Sequence, residues 1–125
     1  MKIWTQLPVA LLAVVIATSA MAGVIIKNKA PQREGNLQVM YLVGATQGRT
    51  PLLARGQSTE VQARHLVPTR LVWVKKNGDR SVKQLNRLAR EKCAVRTSRV
   101  QPSVVLSFDR QGKMSSCSHP LTARA

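Results

Sequence analysis

Bulky residues occupy the odd positions of Leu37-Gln38-Val39-Met40-Tyr41-Leu42-Val43, an alternation that suits a strand with one buried face. Ser58 to Ala63 alternates around Glu60 and Gln62 and predicts a second such strand. Val24-Ile25-Ile26-Lys27, Arg70-Leu71-Val72-Trp73-Val74-Lys75 and Ser103-Val104-Val105-Leu106-Ser107-Phe108 are runs rich in β-branched and aromatic residues, and they predict three more. Turn chemistry separates these runs. Lys27 to Asn36 contains Pro31 and Gly35 and reads as a loop, as does the turn-rich Gly44 to Arg49. Lys76-Asn77-Gly78-Asp79 carries Asn-Gly, the strongest short-range hairpin signal, so Arg80 to Lys83 is expected to pair back on the Trp73 strand. Asp109-Arg110-Gln111-Gly112 predicts a second turn, with Lys113 to Cys117 returning. Pro51 to Leu53 reads as a short edge segment, Ala54 to Gln57 as a turn, Val95 to Pro102 as loop or edge, and His119 to Ala125 as a frayed tail.

From Gln84 the apolar period changes. Leu85, Leu88, Ala89 and Cys93 fall on one helical face, while Arg87, Arg90 and Glu91 point elsewhere. A helix over 84–92 follows, with an earlier start at Ser81 as the competing reading. Several short strands with turn chemistry between them predict a mostly β fold, a small antiparallel β-sandwich or barrel with one short helix. An α+β arrangement is the alternative. The length of 125 residues allows one domain, and a hydrophobic content of 44% allows a packed core. Tyr41, Trp73 and Phe108 sit inside strand patterns and are expected in that core. No motif is specific to one family.

The N-terminus has its own logic. Met1-Lys2 is a short positive region, Leu7 to Ala17 is apolar apart from Pro8, and Ala20-Met21-Ala22 has the small-x-small form that signal peptidase cuts. Residues 1–22 therefore read as a signal peptide and residues 23–125 as the mature domain. Cleavage after Ala22 removes one charge, Lys2. The rival reading is an uncleaved anchor, since Leu7 to Ile26 carries no charge and is long enough to span a bilayer. Thr18 and Ser19 dilute that stretch, and Val24 to Lys27 already reads as a strand, so cleavage is the preferred reading. The expected compartment is periplasmic or extracellular.

Two cysteines in an exported chain favour a disulfide, here Cys93–Cys117. The hairpin that ends at Cys117 is expected to return it toward the helix end at Cys93. A metal set drawn from Cys93, Cys117, His119 and His65 is disfavoured, because the spacing fits no zinc pattern and the expected compartment is oxidising. Without a Cys-x-x-Cys pair, redox catalysis is disfavoured as well.

Charge adds a partner class. Twenty Lys and Arg oppose five Asp and Glu, giving +15, and the basic residues are spread along the chain. Such a surface attracts anions and binds them in a salt-dependent way. The densest stretch holds Lys75, Lys76, Arg80, Lys83, Arg87, Arg90 and Lys92, opposed by Asp79 and Glu91. These seven are the expected contact for an anionic partner. Nucleic acid would be held unspecifically through its backbone, because the three aromatics of the mature domain are expected in the core rather than exposed for stacking.

Catalysis has little support. Gly44-Ala45-Thr46-Gln47-Gly48-Arg49-Thr50 is one residue short of a phosphate loop, has Arg for Lys, and is followed by Pro51 rather than a helix. The five acids are scattered, and His65 and His119 accompany no nucleophile motif. No cofactor motif occurs. The sequence thus points to an exported, non-enzymatic binding or structural module of the cell envelope. Its partner is expected to be an anionic envelope component or an acidic protein, and membrane contact is expected only if residues 7–26 remain as an anchor. The alternatives are a free cationic effector of anionic membranes or nucleic acid, and a small hydrolase or hydrolase inhibitor.

Overall fold

The structure, a computed structural model, describes residues 22–119. The expected signal peptide lies outside them except for Ala22, and so does the tail beyond His119; of the alternative anchor over residues 7–26, residues 22–26 are described, and Gly23 to Ile26 belong to a strand. Among the described residues nine strands and one α-helix follow the order β1 (Gly23–Asn28), β2 (Asn36–Val43), β3 (Thr46–Arg49), β4 (Ser58–Gln62), β5 (His65–Val74), β6 (Arg80–Gln84), α1 (Arg87–Cys93), β7 (Val95–Arg96), β8 (Ser103–Gln111) and β9 (Met114–Ser118).

The first sheet runs β4-β1-β8-β9 and the second β3-β2-β5-β6, with β7 also pairing on β5. Their inner faces meet in one core. Val24 and Ile26 of β1 and Val104, Leu106 and Phe108 of β8 face Leu37 and Val39 of β2 and Leu66, Leu71 and Trp73 of β5. Within β1, β2 and β8, and in β5 from Leu71 on, these residues come from alternate positions, the period that puts one side of each strand inward; Leu66 lies beyond a break in the β2–β5 register. The mostly β sandwich with one short helix is thus the observed fold. Trp73, 1% exposed, is as deep as its place between Val72 and Val74 led us to expect.

Among the described strands all pairings are antiparallel except one, β1 with β8, which run parallel from Gly23↔Ser103 to Asn28↔Phe108. β1 sits between β4 and β8, so both its edges are paired and its Val24-Ile25-Ile26 run belongs to the centre of a sheet. At its end Asn28 is fully buried. It donates through Nδ2 to Leu53 O at 2.8 Å and accepts at Oδ1 from Ala30 N at 2.9 Å, tying down the loop to β2.

Four local readings change. Gly44 to Arg49 is not a loop: Gly44 (φ 62) and Ala45 form a two-residue turn, and Thr46–Arg49 pairs back on β2. A glycine at the first turn position is what such a hairpin needs. β5 begins at His65, well before Arg70, because the ladder with β2 passes Pro68 at an irregularity between Met40 and Tyr41, where a proline is tolerated. β8 extends through Asp109 and Arg110, leaving only Gly112 and Lys113 for the turn.

The fourth change is the helix, expected over 84–92. Gln84 still pairs with Arg70, and Leu85 N donates to Thr69 O at 3.0 Å, so the strand ladder holds both residues. Asn86 then caps α1, its Oδ1 accepting from Ala89 N at 2.8 Å. The later start rotates the helix relative to expectation. Ala89 and Cys93 pack inward, whereas Leu88, expected inside, is 76% exposed.

Cys93 at the end of α1 and Cys117 on β9 are joined by a disulfide. It links the helix that follows the second sheet to the edge strand of the first, and both cysteines are engaged in it. No described helix is long and apolar enough to cross a membrane.

Candidate functional site

Strand register builds the site. Val39 and Leu71 point into the core, so their neighbours Met40 and Arg70 point to the opposite, outer face of the second sheet. Met40 pairs with Arg49 on β3 and with Arg70 on β5, and Arg70 pairs with Gln84 on β6. Cross-strand partners share a face. The row Arg49–Met40–Arg70–Gln84 therefore runs across all four strands of the outer face. Gln47 stands opposite Leu42 in the same way.

Arg90 joins this row from α1. Its Nε donates to Leu85 O at 3.0 Å, which holds the guanidinium against the start of the helix. Arg49, Arg70 and Arg90, with Gln47, Gln84, Met40 and Leu42, line a shallow groove of about 540 Å³. None of the five carboxylates lines it. Glu60 and Asp109 belong to the first sheet, Asp79 to the β5–β6 turn, and Glu34 is buried. Glu91 lies 3.5 Å from Arg87 on the helix surface. Three arginines without a carboxylate lining the same groove form a site of concentrated positive potential on the outer face of the second sheet and the adjoining helix.

The seven basic residues expected from the sequence do not form one patch. Lys75 and Lys76 sit at the hairpin turn, where Lys75 N donates to Asp79 O at 2.8 Å. Arg80 pairs with Val74 and shares the outer face, but stands four residues along β6 from Gln84, about 13 Å away. Lys83 pairs with Leu71 and so belongs to the opposite face of the edge strand. Arg87 and Lys92 are exposed on α1, with Arg87 paired to Glu91. Of the seven, only Arg90 lines the groove.

Arg49 and Arg70 escaped sequence reasoning. Arg49 stands in what reads as a loop, and Arg70 as the first residue of a strand. The alternation of Arg70 with the buried Leu71 was the one signal available for its outward direction.

Two other hollows occur among the described residues. One, about 810 Å³, opens at the start of β1 between Gly23, Glu60, Arg64 and Arg99, and a carboxylate lies within it. The other, about 590 Å³, lies beside α1 and is lined by His65, Val67, Arg87, Glu91 and also Arg90, which stands between it and the groove. Among the described residues no three His, Cys, Asp or Glu gather as a metal ion would need.

Comparison with protein-family models, with curated proteins and with solved structures finds no match for this chain, so the groove and its charge are the observations on which a functional reading stands.

Proposed function

We propose that this protein is exported and acts in the cell envelope as a non-enzymatic binding module that holds an anionic partner on the outer face of its second sheet. The carrying observation is the convergence of Arg49, Arg70 and Arg90 on one groove that no carboxylate lines. A sheet face is a firm platform, and arginine forks bind carboxylate, sulfate and phosphate oxygens in two-point contacts that lysines do not make. The remaining excess of positive charge draws the partner in from about 8 Å at physiological salt. Export is supported by the Met1-Lys2, Leu7–Ala17 and Ala20-Met21-Ala22 pattern, and by a disulfide that suits an oxidising compartment.

The test is fractionation of cells expressing the full chain, followed by salt elution of the purified protein from an anionic matrix. Recovery in the periplasm or medium, with retention that the substitutions Arg49→Gln and Arg70→Gln sharply reduce, supports the reading. Cytoplasmic retention, or elution unchanged by the two substitutions, overturns it.

A further inference from the structure

The groove carries more than charge, and its other side chains define what the anion is attached to. We propose that the groove is a binding site for an acidic saccharide, a chain of sugar rings bearing carboxylate, sulfate or phosphate groups. This rests on the anionic-partner reading above and narrows it.

Three features of the groove support that class. First, Arg49 and Arg70 flank Met40, so their Cα atoms are two strand spacings apart, about 10 Å. With side chains of that length they engage either one anionic group or successive groups on an extended chain. Arg90, anchored at Nε by Leu85 O, keeps four N–H donors on its two Nη atoms. Second, Gln47 and Gln84 line the groove beside the arginines. An amide offers both donor and acceptor, which matches a sugar hydroxyl; a bare phosphate or sulfate only accepts. Third, Met40 and Leu42 supply apolar surface among these polar groups, as the C–H face of a sugar ring requires.

Nucleic acid fits less well. Single strands are held by stacking bases on aromatic side chains. Trp73 and Phe108 are each 1% exposed, and Tyr41, the groove's aromatic residue, packs against the core with its ring across Gly48. A lipid surface fits the described domain less well too, because among the described residues the large exposed apolar side chains, Leu52, Val82, Leu88, Val100 and Met114, are scattered over loops, strands of both sheets and α1.

The experiment measures binding of the disulfide-intact protein to polygalacturonate (carboxylate), dextran sulfate (sulfate), a phosphorylated dextran, neutral dextran and a single-stranded oligonucleotide of matched charge. The parent protein is expected to bind one or more of the acidic saccharides at least about tenfold more tightly than the oligonucleotide, the scale of one or two charge-assisted contacts; the three anionic arms tell which group is preferred. Gln47→Ala with Gln84→Ala should lower saccharide affinity several-fold and leave oligonucleotide binding unchanged. Arg49→Gln with Arg70→Gln should weaken saccharide binding by about tenfold or more, against less than about twofold for the equal charge change Arg33→Gln with Arg99→Gln. Melting temperatures of all variants are compared, so that a folding defect is not read as lost binding. Equal binding of oligonucleotide and saccharides, or indifference to the glutamine substitutions, overturns the saccharide proposal and leaves the anionic-partner reading standing. Equal weakening by the two arginine pairs overturns the localised groove itself. Failure to bind any of the anionic probes overturns both.

Discussion

The guanidinium of Arg110 lies over the indole of Trp73, 5.6 Å from the ring centroid, with both side chains closed off between the two sheets. Arg110 reaches across the sandwich. Its Nη2 donates to Ser81 Oγ of β6 at 3.1 Å, its Nε donates to Gly112 O at 2.8 Å, and Glu34 Oε1 stands 3.9 Å from the same Nε. Glu34 Oε2 also accepts from Gly112 N at 3.3 Å. Among the described residues Trp73 Nε1 and Arg110 Nη1 find no hydrogen-bond partner. Such a cluster ties β8 to the second sheet at a defined place, and its members depend on one another.

That dependence is measurable. Glu34→Ala leaves the buried Arg110 charge uncompensated and is expected to cost about 3–5 kcal/mol in denaturant unfolding. Adding Arg110→Met removes the stranded charge, so the double variant should recover a good part of the loss. Additive losses would show that the two side chains are not coupled. Trp73→Ala should cost about 3–5 kcal/mol through its cavity, and a variant that melts like the parent would refute the buried position.

Cys93 lies three residues beyond Arg90, so the disulfide also holds a groove arginine in place. Reduction releases a 24-residue loop and is expected to lower stability by about 3 kcal/mol. Anion affinity should fall with it at temperatures where the reduced protein is still folded. If reduced, folded protein binds as tightly as oxidised protein, α1 does not need its tether to present Arg90.

Arg87 and Arg90 are three residues apart on α1 but differ in setting. Arg87 pairs with Glu91 at the surface, its side chain 92% exposed, whereas Arg90 lines the groove. Charge reversal Arg90→Glu is expected to weaken retention on an anionic matrix and flatten its salt dependence. Arg87→Glu should do much less. Equal effects would mean that net charge alone governs retention.

Gly48 gives Tyr41 its place. A Cβ on Gly48 would stand 2.6 Å from ring atoms of Tyr41. Gly48→Val is therefore expected to displace the ring or loosen the β2–β3 hairpin, at a cost of about 1–3 kcal/mol. Since Arg49 follows on the same strand, anion binding should weaken as well. Unchanged melting and binding would show that Tyr41 moves aside without consequence.

Gly23 is buried at the start of β1, its amide donating to Pro102 O at 3.0 Å, and a side chain there would run into the Glu60 carboxylate. Cleavage after Ala22 is expected, leaving a new ammonium group beside Glu60. Intact-mass measurement of exported protein should give a chain beginning at Gly23; a species retaining residues 1–22 would favour the anchor.

Local chemistry was enough for much of the fold. Alternation marks β2 and β4, a run of β-branched and aromatic residues marks the second half of β5, the Asn77-Gly78 pair marks the β5–β6 hairpin, and two cysteines in an exported pattern mark the Cys93–Cys117 bond; each signal lies within a few residues or in a simple count. β3 left no such trace, because Thr46-Gln47-Gly48-Arg49 is polar and is held by its ladder with β2. The buried Glu34 and Arg110 left none either, since a charged residue reads as exposed until its partners are known. The groove belongs to this second kind except for Arg90, which the dense basic stretch already singled out. Arg49 on β3, Arg70 on β5 and Arg90 on α1 are separated along the chain by β4, β6 and a helix cap, and no local pattern relates them. They meet because β2 pairs with β3 on one side and β5 on the other in one register, and because Asn86 starts α1 where Arg90 can reach Leu85 O. The sequence by itself determined most of the strand segments and how much positive charge the chain carries, since both follow from neighbouring residues; only the tertiary structure decided that Thr46–Arg49 is a strand and which charges share a face, because strand order and register are set by the packing of the whole core.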